Sequence, residues 1–262
     1  MAPSKIGLIA GSGRLPVLFA EAAAQAGRTV VVVAHEGETS PELVAHASVR
    51  LGQLGRIAEI LRAEGVSEAV FCGGLRKLRL LDLRPDWLGL KAMARMGGFG
   101  DDAALRAIAQ VLEDEGVRIV SPLPFVPGLL APRGPLGKRK LDDDQRKDVQ
   151  AGLEVARALG ALDVGQTVAV RKGVVLAVEA SEETDACIAR AGSLAKGAVV
   201  VKVRKPQQDD RFDAPAIGPG TVEACAKAGC AALAVEAAAT LVLDRAQVVA
   251  AADRAGIAVE GV

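Results

Sequence analysis

The sequence predicts an α/β protein of two domains: an N-terminal Rossmann-like domain on a parallel sheet and a C-terminal α/β domain on a mixed sheet, with a substrate cleft between them. Three observations carry this expectation. Short β-branched runs alternate with helical patterns through the first half, and those runs are apolar at every position, as strands covered by helices on both faces must be. Pro and Gly then crowd into Ser121-Pro122-Leu123-Pro124-Phe125-Val126-Pro127-Gly128 and Ala131-Pro132-Arg133-Gly134-Pro135-Leu136-Gly137, where neither a helix nor a central strand can continue. A second alternating series follows, opening on a hairpin signal that requires antiparallel neighbours. The domains are accordingly set at residues 1–130 and 142–262, joined by a linker at 131–141.

In the first domain, residues 6–10 form a strand, 15–26 a helix whose Pro16 suits a first turn, and 29–34 a second strand, Thr-Val-Val-Val-Val-Ala. Residues 57–64 are helical, 69–72 a short strand, 102–115 a helix closed by Gly116, and 117–120 a strand. The second domain opens with a helix at 143–159 that Gly160 ends. Lys138-Arg139-Lys140 and Asp142-Asp143-Asp144 form a solvated charge patch at its start, where acids favour a helix N-terminus. Residues 167–170 and 174–178 flank Arg171-Lys172-Gly173 as a hairpin. A helix at 184–191, a strand at 198–203, a helix at 221–228, strands at 231–235 and 241–243, a helix at 246–255 and a strand at 257–259 complete the second series.

Composition excludes several classes of function. The 32 basic and 32 acidic residues cancel, and the chain has no Tyr and one Trp, so it offers neither the positive field nor the stacking platforms of a nucleic-acid binder. Two histidines and four cysteines at unrelated spacings do not make a His/Cys metal site, so any metal sits on oxygen ligands, which favours Mg²⁺ or Mn²⁺. The longest apolar run, 231–243, is interrupted by Glu236 and too short to span a bilayer, and no secretion signal is seen at the start, so a cytoplasmic protein is expected.

Four segments carry candidate chemistry. Gly11-Ser12-Gly13-Arg14-Leu15-Pro16 follows the first strand and opens a helix, a place where backbone N–H groups can meet a phosphate. It also resembles a dinucleotide fingerprint, with Glu36 after the second strand as the ribose acid, but Pro16 replaces the third glycine. A phosphate or substrate loop, a nicotinamide site and a plain tight turn all remain open there. Gly97-Gly98-Phe99-Gly100-Asp101-Asp102 joins a glycine turn to acids that can cap a helix or contact a ligand. Asp163 to Gln166 and Glu179 to Asp185 place carboxylates between a strand end and a helix start, where they can hold Mg²⁺ against a pyrophosphate or serve as helix caps and solvated acids. Lys202-Val203-Arg204-Lys205 and Asp209-Asp210-Arg211-Phe212-Asp213 combine cations, which stabilise charge on phosphoryl oxygens, with acids that hold a metal or orient water.

Together these segments resemble the LpxI type of UDP-2,3-diacylglucosamine pyrophosphatase, a family of lipid A biosynthesis. The resemblance rests on residues 9–16, 100–105, 162–166, 175–180, 184–186 and 205–218, in the family's order. Two places depart: the family pattern Glu-Gly-Thr-Asp reads Glu182-Glu183-Thr184-Asp185 here, and Gly73-Gly74-Leu75 stands where a more basic pattern is usual.

The resemblance implies Mg²⁺-dependent (or Mn²⁺-dependent) attack of water on the phosphorus next to uridine, releasing UMP and 2,3-diacylglucosamine 1-phosphate (lipid X). It further implies a homodimer working at the cytoplasmic face of a Gram-negative inner membrane. On this reading Asp213, Asp209 and Asp185 are catalytic, and Asp213, Asp209 and Glu179 hold the metal. Ser12, Gly13, Arg14, Gly74, Gly100, Asp101, Asp102, Gln166, Thr184, Lys202, Lys205 and Arg211 contact substrate. The apolar residues Leu123, Phe125, Val126, Leu129 and Leu130 are candidates for acyl-chain or bilayer contact, against ordinary interdomain packing. Two rivals are a non-catalytic nucleotide-sugar or lipid-binding module and a Rossmann-type NAD(P) oxidoreductase.

Overall fold

β-Branched and aliphatic runs become strands, and amphipathic runs become the helices that cover them. The computed structural model describes residues 4–74, 84–96, 101–212 and 214–262, and of residues 101–103 the backbone alone. The chain divides into two compact units, Met1–Pro127 with Asp209–Phe212, and Gly128–Gln208 with Asp213–Val262.

The first unit runs β1 (Lys5–Ala10), α1 (Leu15–Gln25), β2 (Thr29–His35), β3 (Ala47–Val49), α2 (Leu54–Ala63), β4 (Glu68–Cys72), α3 (Trp87–Arg95), α4 (Asp101–Asp114) and β5 (Arg118–Ile119). Its sheet has the order β3-β2-β1-β4-β5 and is parallel throughout, with Ile6 opposite Val30 and Leu8 opposite Val32. Ile9, Val31 and Val33 pack on one face against Ile57 and Leu61 of α2 and Val111 and Leu112 of α4. The chain winds outward from β1 to β3 on one side and from β4 to β5 on the other. The order therefore reverses between β1 and β4, and their carboxyl ends are where open α/β sheets place ligands.

The second unit runs β6 (Gly134–Pro135), α5 (Asp143–Ala161), β7 (Thr167–Arg171), β8 (Val174–Val178), α6 (Glu183–Leu194), β9 (Val199–Lys202), β10 (Ala216–Ile217), α7 (Pro219–Ala228), β11 (Ala232–Val235), β12 (Leu241–Val242), α8 (Arg245–Ala255) and β13 (Ala258–Gly261). Six strands form a mixed sheet in the order β6-β13-β11-β9-β7-β8, while β10 and β12 pair separately. β9, β11 and β13 are mutually parallel, and β6, β7 and β8 are antiparallel to their neighbours. Alternation sorts the two faces: Val199 and Val201 of β9 pack with Val149 and Ala156 of α5, whereas Val200 packs with Ile188, Val222 and Val248 of α6, α7 and α8.

The hairpin expected at Arg171-Lys172-Gly173 is present, and Lys172 and Gly173 take φ of 49° and 75°, the left-handed pair that suits a two-residue hairpin turn. Asp142 caps α5 and shares a capping box with Gln145. The stretch expected as a linker contributes the edge strand β6 and the buried Ala131 and Leu141. Phe125, a candidate for acyl contact, packs edge-on against Phe19 at 5.3 Å, and Val126 is buried. Phe125 and Val126 are therefore part of the first unit's packing, and Ala131 and Leu141 part of the second's.

Candidate functional site

In the first unit the chain leaves β1 through Gly11 and β4 through Gly73, and the two turns are joined. Gly11 N donates to Cys72 O at 2.8 Å, Ser12 N to Gly74 O at 2.7 Å, and Gly74 N to Ser12 O at 3.1 Å. The Ser12 hydroxyl also donates to Gly74 O, at 2.9 Å. A Cβ on Gly11 would lie 2.4 Å from Gly74 O, and one on Gly73 (φ +90°) 2.3 Å from Ser12 O, so both positions need glycine. The amides of Gly11 and Ser12, expected to face a phosphate, are thus engaged by protein carbonyls. Pro16 meets the Gly73 turn directly: its Cγ would lie 2.9 Å from a Cβ there. Close packing that a dinucleotide fold achieves with its third glycine is here supplied by Gly73.

Beside these turns, Ala10 O accepts from Thr39 Oγ1 at 2.6 Å and lies 3.1 Å from His35 Nδ1. His35, buried at the end of β2, is held below its ordinary 6.5 by burial, against the raising effects of the Ala10 hydrogen bond and Glu38. Sequence reasoning gave His35 no role; its place beyond a run of valines was the available signal. Arg14, next to the turn, pairs with Glu42 at 2.5 Å, and Glu36 lies 3.4 Å from Arg50.

Asp209 to Phe212 come from the second half of the sequence yet belong to the first unit. Phe212 packs on Phe71 of β4 with ring centroids 6.1 Å apart, and the Arg211 guanidinium lies over the Phe212 ring at 4.9 Å. Arg211 Nε and Nη2 donate to Asp209 at 3.1 and 2.9 Å, and Nη1 lies 3.5 Å from Glu113. Those Arg211 bonds hold the Asp209 carboxyl below the usual carboxylate range. Two expected site residues thus stand on the unit that carries Ser12, Gly13 and Gly74, next to the strand that leads into Gly73.

In the second unit the sheet register aligns a polar row. Thr167 at the start of β7 is opposite Lys202 at the end of β9, and Glu179, just past β8, donates its amide to Thr167 O at 2.8 Å. Their side chains share the face covered by α6, where Thr184 joins them. Lys202 Nζ donates to Thr184 Oγ1 at 3.0 Å, and Thr184 Oγ1 donates to Glu179 Oε1 at 2.7 Å. Glu179 Oε2 accepts from Gln166 N at 3.2 Å. Lys202 and Glu179 are each 7% exposed and Thr167 1%. Among the described residues, Gln166 Oε1 and Thr167 Oγ1 have no hydrogen-bond partner, an arrangement that folded proteins seldom keep without a ligand or water to meet it. Thr167 was missed from sequence, although a hydroxyl in an otherwise aliphatic strand was the sign.

The family glycine replaced by Glu183 leaves its mark in the backbone. Glu183 adopts φ +70°, the left-handed conformation that glycine enters freely. The turn that presents Thr184 therefore keeps the glycine-like shape. Gly165 serves the same corner, since a Cβ there would lie 2.1 Å from Glu179 O.

Other expected residues stand elsewhere or outside the description. Lys205 Nζ donates to Asp163 Oδ1 at 2.8 Å. Asp185 lines a cavity of about 620 Å³ between α6 and α7, together with Lys196, Glu223 and Lys227. Asp101 and Asp102 are the first residues of α4, with side chains outside the description. Gly100 and Asp213 lie outside the described residues. Among the described residues no three His, Cys, Asp or Glu side chains gather as metal ligands. Thiol and imidazole side chains are poorly placed as metal ligands. All four cysteines are buried, burial pushes the Cys187 thiol up to about 11, and His46 Nδ1 accepts from Val32 N at 3.2 Å. Carboxylates are what remain.

Family models match both halves of the chain: that of the LpxI N-terminal domain over residues 5–129 and that of the LpxI C-terminal domain over residues 132–260. The chain is 39% identical to the UDP-2,3-diacylglucosamine pyrophosphatase LpxI of Caulobacter vibrioides over 272 residues, covering 98% of this chain and 97% of that protein. Among solved structures, N5-carboxyaminoimidazole ribonucleotide synthetase from Thermotoga maritima aligns at 18% identity, over 68% of this chain and 42% of that one, with a TM-score of 0.24, too slight a likeness to carry an argument.

Proposed function

We propose, because this chain belongs to the LpxI family, that it hydrolyses UDP-2,3-diacylglucosamine in lipid A biosynthesis. Water attacks the phosphorus next to uridine, the bridging P–O bond breaks, and the electron pair leaves on the lipid phosphate. The products are UMP and 2,3-diacylglucosamine 1-phosphate. One observation supports the reading most: a buried Lys202 side chain, bonded to Thr184 that in turn bonds Glu179, ends β9 opposite Thr167, whose hydroxyl, like Gln166 Oε1, has no partner among the described residues. A nearly dry cation is worth more to a developing phosphoryl charge than a solvated one, because the local dielectric is low.

In this account Lys202, Lys205 and Arg211 meet the pyrophosphate oxygens. Gln166 and Thr184 orient the nucleotide, and Ser12, Gly13, Arg14, Gly74, Gly100, Asp101 and Asp102 contact substrate from the first domain. Asp213 orients the attacking water, with Asp209 and Asp185 assisting. Asp213, Asp209 and Glu179 would hold Mg²⁺, or Mn²⁺ in its place, which would supply positive charge against the pyrophosphate. Glu179 also positions Thr184, and through it Lys202. A homodimer at the cytoplasmic face of the inner membrane completes the proposal.

Incubation of the purified protein with UDP-2,3-diacylglucosamine and Mg²⁺ tests it. UMP release that chelation abolishes and Asp213→Ala reduces at least a hundredfold is the expected result. Binding of the nucleotide sugar without UMP release would replace the enzyme by a binding module.

A further inference from the structure

α3 leaves much of its apolar side uncovered. Trp87 is 78% exposed, Leu90 49%, Met93 52%, and Met96, just beyond the helix, 39%. They recur at every third residue, while Gly89 and Ala92 are buried. The helix carries Lys91 and Arg95 and no acid. Both cations lie against one carboxylate oxygen, Asp114 Oδ2, at 3.0 and 2.7 Å, so the trio remains positive. Asp86, the N-cap, directs its carboxylate to the amides of Gly89, Gly55 and Arg56, which leaves the exposed stripe itself without an acid.

Trp, Leu and Met on one side of a helix, flanked by Lys and Arg, complement an anionic lipid surface. The indole and thioethers suit the boundary between headgroups and acyl carbons, and the cations suit the lipid phosphates. We propose that this face of α3 docks the protein on a bilayer containing anionic phospholipid. Only the reason for visiting a membrane, a diacylated substrate, rests on the proposed function; the surface is read from α3 itself.

Trp87 is the sole tryptophan of the chain, so intrinsic fluorescence reports on this helix alone. With the full-length protein, vesicles of phosphatidylglycerol and phosphatidylethanolamine shift the emission to the blue, and brominated acyl chains quench it. Phosphatidylcholine vesicles bind roughly fivefold more weakly, given a factor of about five for the one net positive charge of the trio near an anionic surface. The double variant Leu90→Asp, Met93→Asp retains Trp87 and loses the shift, and its release of UMP from short-chain, monomerically dispersed substrate is unchanged. Leu90→Ser, a milder change at a half-exposed site, weakens vesicle binding and guards against misfolding of the double variant.

No shift with wild-type protein on anionic vesicles overturns the proposal, as does a shift that the double variant keeps. Self-association that Leu90→Asp abolishes, without vesicle binding, assigns the face to a second copy and overturns it too. Vesicle binding without UMP release upholds this face and refutes the proposed function alone.

Discussion

Thr184 is the joint through which a buried acid holds a buried lysine, and replacing its hydroxyl tests that arrangement. Thr184→Val keeps the side chain's shape and removes two hydrogen bonds, one to Glu179 at 2.7 Å and one from Lys202 at 3.0 Å. A hydrogen bond to a charged group contributes about 1.5–3 kcal/mol. Water reaches the half-buried Thr184 and recovers part of two such losses, so the expected cost is about 3 kcal/mol. In a domain of this size 1 kcal/mol moves the midpoint by roughly 2–4 °C, and the affected transition should fall by about 6–12 °C. UMP release should fall in parallel, with kcat/KM reduced at least tenfold, because Lys202 is no longer aimed. Thr184→Ser restores both, since it keeps the oxygen. Calorimetry and a UMP assay on the three proteins decide the matter. A valine variant that melts within a degree of wild type and turns over normally would refute the reasoning.

Three further predictions follow from single contacts. At Glu183, whose φ is +70°, Glu183→Gly should exceed Glu183→Ala in stability by about 1 kcal/mol, the reverse of the order at right-handed helical positions; urea titration of the two variants shows which order holds. Gly73→Ala brings a Cβ to 2.3 Å from Ser12 O at φ +90° and should cost roughly 3 kcal/mol, measurable as a drop in the denaturation midpoint. Burial holds His35 below 6.5, so just under that pH the unfolded chain binds more protons than the folded one. Stability should therefore rise with pH through this window and be lost on acidification; midpoints compared at about pH 5.5 and 7.5, with His35→Gln flattening the difference, check the sign.

Much of the fold was legible because β-branched runs and glycine stops are local signals. β1, β2, α5 and the β7–β8 hairpin follow directly from Ile6 to Ala10, from the valines after Thr29, from the Asp142 cap and from Lys172-Gly173. β3 and β10 were not, since three and two residues carry no readable period. β6 places Gly134 and Pro135 in a strand, which only an edge position allows and only the partner β13 reveals. α3 escaped notice because its apolar residues point outward as well as inward. At the candidate site, residue types were readable and pairings were not. That Thr167, Lys202 and Glu179 share one row depends on strand register, and the Ser12–Gly74 pairing joins turns more than 60 residues apart. Glu183 is the instructive case: a residue type that disfavours positive φ stands where the family pattern has glycine, and its backbone takes the left-handed conformation nonetheless.

The central claim is a hydrolysis at the phosphorus next to uridine, and isotope transfer from solvent tests it most directly. Turnover of UDP-2,3-diacylglucosamine in ¹⁸O-labelled water, followed by mass spectrometry of both products, should place one labelled oxygen in UMP and none in 2,3-diacylglucosamine 1-phosphate. Label in the lipid phosphate, or no UMP at all, would contradict the account.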